Sequence, residues 1–232
     1  GANLTGADLS ALTLDRADGR NLLGCPAALP GGWLCLNNTL IGPGAALSGT
    51  NLAGLDISDA DLTAASGAQL QACPAVLPAG WYCINSNLVG PGASIYDADF
   101  SGADLSMVNL AGVSAQVTGC PALLPAGWTC YANRLIGPGA NLGNVDFSGV
   151  DLTGQNLAGA DLRGASLVGA NLGGLDLSSS NLDFVQGANL IACPAALPAG
   201  WQCLQNHLVG PTASFYDDAD LSGINLSGNV FS

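Results

Sequence analysis

The side chains with the clearest chemical potential are eight cysteines, which form four pairs with one common spacing. Nine residues separate the members of every pair: Cys25 and Cys35, Cys73 and Cys83, Cys120 and Cys130, and Cys193 and Cys203. Zinc sites usually space thiolates two to four residues apart and redox catalysis uses Cys-x-x-Cys, so metal binding is the less favoured alternative. Even, regular pairing is typical of disulfides in an oxidising compartment. We expect four local disulfides, each contributing about 2 to 3 kcal/mol.

Each cysteine pair begins a longer repeated segment, which we call a loop motif. Loop motifs 1 to 4 end on (Ile/Val)-Gly-Pro and occupy residues 25–43, 73–91, 120–138 and 193–211. Together they contain all 12 prolines of the chain. Proline favours extended or turned backbone and interrupts helices, so we expect these segments to be loops inserted into another structure.

One tryptophan lies between the two cysteines of each motif, at Trp33, Trp81, Trp128 and Trp201. An indole combines a large apolar area with one hydrogen-bond donor, which leaves two interpretations open. Either each ring packs beneath its own disulfide loop as a small core, or the four rings form a column of exposed aromatics that binds sugar or a neighbouring subunit.

The sequence contains few side chains suited to catalysis, and we expect neither an enzyme nor a bound cofactor. The one histidine, His207, takes a motif position that holds Thr39, Asn87 and Arg134 in the other motifs. A position that accepts four such different side chains is typical of a solvated surface, so we expect His207 to be exposed. Aspartates can form a glycosidase pair, but here they recur at repeat positions, and an active site would break the repeat.

The charge of the chain argues against several partners. All 17 acidic residues are aspartate, glutamate and lysine are absent, and the net charge is −13. Without a basic cluster we expect no direct binding to nucleic acid. The lack of a long apolar run predicts no transmembrane segment. We expect no metal; the best calcium candidates, which solvation explains as well, are Asp97 with Asp99 and the group Asp217, Asp218 and Asp220.

A second, shorter repeat has a period of five residues. Its longest run has a large apolar residue at Leu142, Phe147, Leu152, Leu157, Leu162, Leu167, Leu172, Leu177 and Leu182. The residue two positions earlier is usually small or apolar, often Ala, and Asp or Asn usually lies between them. This period suits a short strand followed by a corner, with the two apolar residues inward and Asp or Asn outward. Such a unit buries its leucine only by stacking on the next one.

This pattern, A-(D/N)-L-x-x, resembles the pentapeptide-repeat family. The resemblance implies an all-β fold, a right-handed quadrilateral β-helix with four fives in each coil. We therefore expect residues 1–232 to form a single solenoid with four disulfide-closed loop insertions. The resemblance says little about function, because members of the family differ in what they do.

The repeat continues in register to both ends of the sequence without a capping helix. A β-helix exposes unpaired backbone at an uncapped end, so we expect the ends either to continue in a longer chain or to stack end to end between chains. We expect an extracellular or cell-surface bacterial structural protein, a disulfide-stapled solenoid that stacks or polymerises into a fibre, sheath or stalk.

Two other functions remain open. The first is a cell-surface adhesion or binding module that uses the Trp-bearing loops on carbohydrate or a surface partner. The second, which the family resemblance suggests, is an acidic DNA mimic that inhibits a topoisomerase. The eight paired cysteines and the lack of a helical dimer module in this sequence argue against the second function.

Overall fold

The computed structural model describes residues 1–215 and 222, and within them it contains β-strands, turns and bends but no helix. The expected all-β class is therefore confirmed. The described strands are β1 Leu34–Leu36, β2 Thr39–Ile41, β3 Tyr82–Ile84, β4 Asn87–Val89, β5 Ser94–Asp99, β6 Ser114–Gly119, β7 Thr129–Tyr131, β8 Arg134–Ile136, β9 Gln202–Leu204 and β10 His207–Val209.

The chain divides into two compact units. The first unit comprises Gly1–Ala126 with Cys130–Leu135, and the second comprises Gly127–Thr129 with Ile136–Ser232. The single solenoid expected over residues 1–232 stays a prediction, and each unit is described by itself.

In the first unit, loop motifs 1 and 2 each form an antiparallel hairpin, β1 with β2 and β3 with β4. Parallel pairing joins β5 to β6, and isolated parallel bridges join residues about one coil apart, such as Asp8 with Ala28 and Ala46 with Ser66. The hairpins were not expected from the sequence, since the five-residue repeat alone predicts parallel pairing.

The hairpins turn on two residues that both have positive φ. In motif 1 these are Asn37 at 47° and Asn38 at 59°, and the other motifs use Asn85 with Ser86, Ala132 with Asn133, and Gln205 with Asn206. Two positive φ values define a type I′ turn, whose twist matches that of the flanking strands. Asparagine tolerates this left-handed region better than most residues, which explains its repeated presence there.

In the second unit, parallel bridges recur at intervals of 20 residues, which equals four fives. Asn141 pairs with Asp161, and Asp161 pairs in turn with Asn181. The backbone N–H of Leu142 donates to the carbonyl of Asp161 at 2.8 Å, and Leu162 repeats this bond to Asn181 at 2.8 Å. Strands β9 and β10, in loop motif 4, form an antiparallel hairpin in this unit.

The interior of the second unit is built from the apolar positions of the fives. Leu162, Leu167 and Leu172 are fully buried, and so are the small residues two positions before each of them, Ala160, Ala165 and Ala170. The predicted inward position of both residues is therefore confirmed. In these three fives the small alanine leaves room for the leucine to pack beside it.

The corners between fives are closed by the intervening Asp or Asn as well as by glycine. In one such corner, Gly164 has a φ of 66°, and the N–H of Ala165 donates to the carbonyl of Leu162 at 2.9 Å. Oδ1 of Asp161 accepts the N–H of Arg163 at 3.1 Å. The same Asx turn, a side-chain oxygen bonded to the N–H two residues later, recurs along both units, for example at Asn3, Asp8, Asn51, Asp56, Asp104, Asn109, Asp146, Asp151, Asp176 and Asn181.

Candidate functional site

The candidate site is the set of loop motifs, because they carry the residues with distinct chemistry. Disulfides join Cys25 to Cys35, Cys73 to Cys83, Cys120 to Cys130 and Cys193 to Cys203, and the Cα separations within pairs are 5.9 to 6.0 Å. The second cysteine of motif 1 lies at the centre of β1, opposite Leu40 of β2. Each disulfide therefore ties the start of its loop to a hairpin.

The tryptophans do not form an exposed column. Trp33, Trp81 and Trp128 are 7 to 8% exposed, and Trp201 is half-buried. The interpretation in which each ring fills its own loop fits these positions, whereas the exposed-column alternative is wrong for the three buried rings. The large apolar area of an indole explains the outcome, because burying the ring removes more apolar surface from water than burying any other side chain of the loop.

Each indole packs directly on the glycine of the (Ile/Val)-Gly-Pro ending of its own motif. A Cβ added to Gly42 would lie 2.3 Å from Cδ2 of Trp33, and the corresponding distance from Gly90 to Trp81 is 2.5 Å. Gly137 with Trp128 and Gly210 with Trp201 repeat this approach at 2.2 Å. No side chain fits at these glycines, so the tryptophan and the glycine form one structural unit. The same glycine occurs in all four motifs, and this recurrence could have predicted the contact from the sequence.

The position of His207 is buried, so the prediction of a solvated site is wrong. Thr39, Asn87 and His207 are 8%, 2% and 6% exposed, and Arg134 is half-buried. This residue begins the second strand of the hairpin, where the side chain lies over the turn that precedes it. The position therefore accepts different polar residues because backbone groups surround it.

The contacts of Asn87 and His207 show how this buried position is satisfied. Oδ1 of Asn87 accepts the N–H of Gln69 at 2.9 Å, and Nδ2 donates to the carbonyls of Asn85 at 2.8 Å and Asp99 at 3.1 Å. Nδ1 of His207 lies 2.8 Å from the carbonyl of Gln205, while Nε2 is buried without a partner in the described part of the chain. His207 is thus the less well satisfied member of the set.

The exposed aspartates are structural acceptors rather than free carboxylates. The hydroxyl of Ser10 and, second, its backbone N–H lower the pKa of Asp8, and Ser148 lowers the pKa of Asp146 in the same way. The Arg163 side chain is the main cause of the lowered pKa of Asp161, which it meets in a 2.6 Å ion pair. Their repetition therefore reflects the corners of the repeat.

The calcium candidates are only partly within the described residues. Oδ1 of Asp99 accepts the N–H of Ser101 at 2.8 Å, so this carboxylate closes a corner. Asp217, Asp218 and Asp220 lie outside the described residues. Within residues 1–215 and 222, no group of three or more His, Cys, Asp or Glu side chains is arranged to hold a metal ion. The same residues include no helix of the length and apolarity that crossing a membrane requires.

Comparison with known proteins bears on the five-residue repeat. Residues 146–183 match the family model for pentapeptide repeats, in eight copies. No curated protein matches the chain. In the matched segment a buried leucine or phenylalanine recurs every five residues, and an Asx turn closes most of the corners. Residues 146–183 are therefore similar to the repeats of the pentapeptide-repeat family.

Proposed function

We propose that the protein is an extracellular bacterial structural element, in which disulfide-stapled, right-handed quadrilateral β-helices stack or polymerise into a fibre, sheath or stalk. Its role is mechanical. Backbone ladders resist extension, an apolar interior resists unfolding, and disulfides preserve the loops where no cytoplasmic chaperone operates.

The observation that carries this proposal is the 20-residue parallel ladder. Bridges such as Asp146 with Ser166 and Ser166 with Gln186 repeat the same contact in successive coils. Four fives per step support a quadrilateral cross-section. Each repeat is stabilised mainly by its neighbours, so a structure of this kind can be extended without a new type of contact.

The polar chemistry supports a structural rather than an enzymatic role. Pentapeptide-repeat proteins are generally non-enzymatic structural or binding proteins. In this chain Asp56 and Asp151 use a carboxylate oxygen to close a corner, and His207 is buried beside a hairpin turn. These groups are engaged with their own backbone, which argues against their acting together on a substrate.

The disulfides support a location outside the cytoplasm. Four bonds in one chain are compatible with an oxidising compartment such as the cell surface. The adhesion alternative based on Trp-bearing loops loses its main support, because three of the rings are buried.

Electron microscopy of the purified, oxidised protein tests the proposal. We expect filaments or stacked particles with an axial spacing of about 4.8 Å per coil in fibre diffraction. A monodisperse monomer or dimer across a wide concentration range would contradict the assembly. A thiol titration of the denatured, non-reduced protein should detect no free thiol. Eight free thiols would contradict both the four disulfides and the proposed extracellular location.

A further inference from the structure

The first unit has two adjoining surface cavities that the structural role does not use. One, of about 420 Å³, is bordered by Arg20, Asn51 and Gln71 among other residues. The other, of about 460 Å³, is bordered by Gln69, Tyr96 and Asp97 among others. Gly49 borders both cavities, so they lie side by side. We call the combined depression the Arg20–Tyr96 groove.

Gly49 keeps the middle of the groove open. Its φ is 72°, and a Cβ added there would meet no heavy atom within 4 Å. The glycine serves the corner of its five, and it also leaves open space where the two cavities meet. A ligand that extends from one cavity to the other would therefore cross exposed backbone at this point.

Arg20 is a departure from the long repeat. It lies five residues before the first cysteine of motif 1, where the other motifs have Ala68, Ala115 and Ala188. Loop geometry therefore does not require an arginine here, since alanine serves the same position three times. This asymmetry distinguishes the groove from the periodic surface of the repeat.

The guanidinium of Arg20 is held rigidly in the groove wall. Nε and Nη2 donate to the two carboxylate oxygens of Asp18 at 2.7 and 2.6 Å, and Nη1 donates to the carbonyl of Ser48 at 2.8 Å. Three of its five N–H groups are thus used, and each Nη retains one N–H for a ligand. The carboxylate of Asp18 balances the positive charge, so the site favours a neutral acceptor over an anion.

Tyr96 supplies an aromatic surface at the other end. Its side chain is 49% exposed, and its hydroxyl lies 2.9 Å from Oγ of Ser114. This hydrogen bond restricts the ring before any ligand binds. Nearby, Nε2 of Gln69 donates to the carbonyl of Asp97 at 3.1 Å, which orients the amide at the edge of the cavity.

We propose that the Arg20–Tyr96 groove binds a short, neutral oligosaccharide. Amide side chains, from Asn21, Asn37, Asn51, Gln69 and Gln71, can both donate to and accept from sugar hydroxyls. A tyrosine face packs against the apolar face of a sugar ring. Asp97 and the net charge of −13 disfavour anionic glycans. The proposal is independent of the fibre and of the buried tryptophans.

An oligosaccharide array followed by calorimetry tests the proposal. The probes are neutral gluco-, manno-, galacto- and chito-oligosaccharides, with oligogalacturonate as the anionic counterpart. We expect binding of at least one neutral series, and a loss of at least about tenfold in affinity for Tyr96→Ala and for Arg20→Ala. Tyr96→Phe keeps the ring and should bind within about threefold of the wild type.

Matched control variants distinguish binding in the groove from binding elsewhere on the surface. Arg20→Ala introduces the residue that the other three motifs already have, so it should fold normally. Tyr82→Ala removes a 41% exposed tyrosine of the same unit outside the groove and should leave binding unchanged. No binding of any neutral probe, preference for oligogalacturonate, or unchanged affinity in both Tyr96→Ala and Arg20→Ala would overturn the proposal.

Discussion

The first unit contains three of the four disulfides, whereas the second contains one disulfide and the longest uninterrupted run of fives. In residues 141–183 every five supplies its own buried leucine or phenylalanine and its own corner, so the stability of this segment comes from many similar local contributions. In the first unit the fives are interrupted by loop motifs, which bury an indole and two aliphatic residues, such as Leu40 and Ile41 of motif 1. These loops add a cross-link and a tryptophan contact that the uninterrupted fives lack, so the two units depend in part on different interactions.

Reduction of all four disulfides should produce the largest difference in local stability between the two units. Each loop of about eleven residues contributes about 2 to 3 kcal/mol, and three of these contributions belong to the first unit. After reduction and alkylation, we expect amide exchange in β1–β2 and β3–β4 to rise at least about tenfold more than in residues 141–183. Hydrogen exchange with mass spectrometry measures this. An equal rise in exchange rate in both units would show that the disulfides do not stabilise the first unit more than the second.

A cavity in the leucine stack should be the largest single-residue effect. Leu162 is fully buried, so Leu162→Ala should lower the free energy of unfolding by about 3 to 4 kcal/mol. The control is Ile191→Ala in the same unit, where the side chain is 65% exposed and the expected change is within about 0.5 kcal/mol. Urea unfolding measures both. A change below 1 kcal/mol for Leu162→Ala would mean that the stack is not what stabilises this unit.

The packing of glycine against tryptophan can be tested in motif 1. Gly42→Ala places a Cβ 2.3 Å from the Trp33 ring and should cost about 1 to 3 kcal/mol in unfolding free energy. Gly31→Ala is the matched control, since a Cβ there meets nothing within 4 Å and the other motifs have Ala79, Ala126 and Ala199. Thermal unfolding and tryptophan fluorescence measure both variants. Equal stabilities for the two would contradict the close packing.

Acidification should lower the stability of both units to a similar extent, whereas reduction should destabilise mainly the first unit. The lowered pKa values of Asp8, Asp56, Asp146 and Asp176 mean that their ionised forms stabilise the folded state. This stabilisation is present above the ordinary carboxyl pKa, about 4, and is lost as the pH falls through the lower folded values. We expect the Tm to fall below about pH 4 in scans at constant ionic strength.

A substitution control isolates the carboxylates. Asparagine already occupies equivalent corners at Asn141 and Asn156, where Oδ1 also accepts the N–H two residues later. Replacing Asp146, Asp151 and Asp176 together by asparagine should therefore preserve the fold and flatten the acid dependence. A Tm that rises on acidification, or an unchanged slope in this triple variant, would contradict the assignment.

The smallest expected effect concerns the buried hairpin position. His207→Asn introduces the residue of motif 2, where Asn87 bonds to three backbone groups, and removes a buried nitrogen without a partner. We expect the free energy of unfolding to rise by about 1 kcal/mol. Asn87→His is the reciprocal control and should lower it. Calorimetry of both variants measures the change in unfolding free energy. A loss of stability in His207→Asn would contradict the conclusion that asparagine suits this position better than histidine.

Much of the fold was predictable because its interactions are local in sequence. The interval of five from Leu142 to Leu182 indicated an inward apolar column, and the burial of these residues confirms it. The type I′ hairpins were not predicted, since their signal is a pair of small or polar residues with positive φ, such as Asn85 and Ser86, rather than a hydrophobic period. The predicted exposure of His207 is wrong because variation at a position does not require solvent: backbone groups beside this buried position can bond to more than one type of polar side chain.

By itself, the sequence determined the repeat, the inward leucines, the outward Asp and Asn and the pairing of each cysteine with its partner ten positions later. These features depend on the backbone geometry of a few consecutive residues. Only the tertiary structure decided that the indoles rest on glycines of their own motifs, that the hairpin position is buried, and that Arg20 and Tyr96 border one groove. The indole contact closes within one loop and the groove joins residues from different coils, but both depend on three-dimensional packing that the order of residue types does not specify.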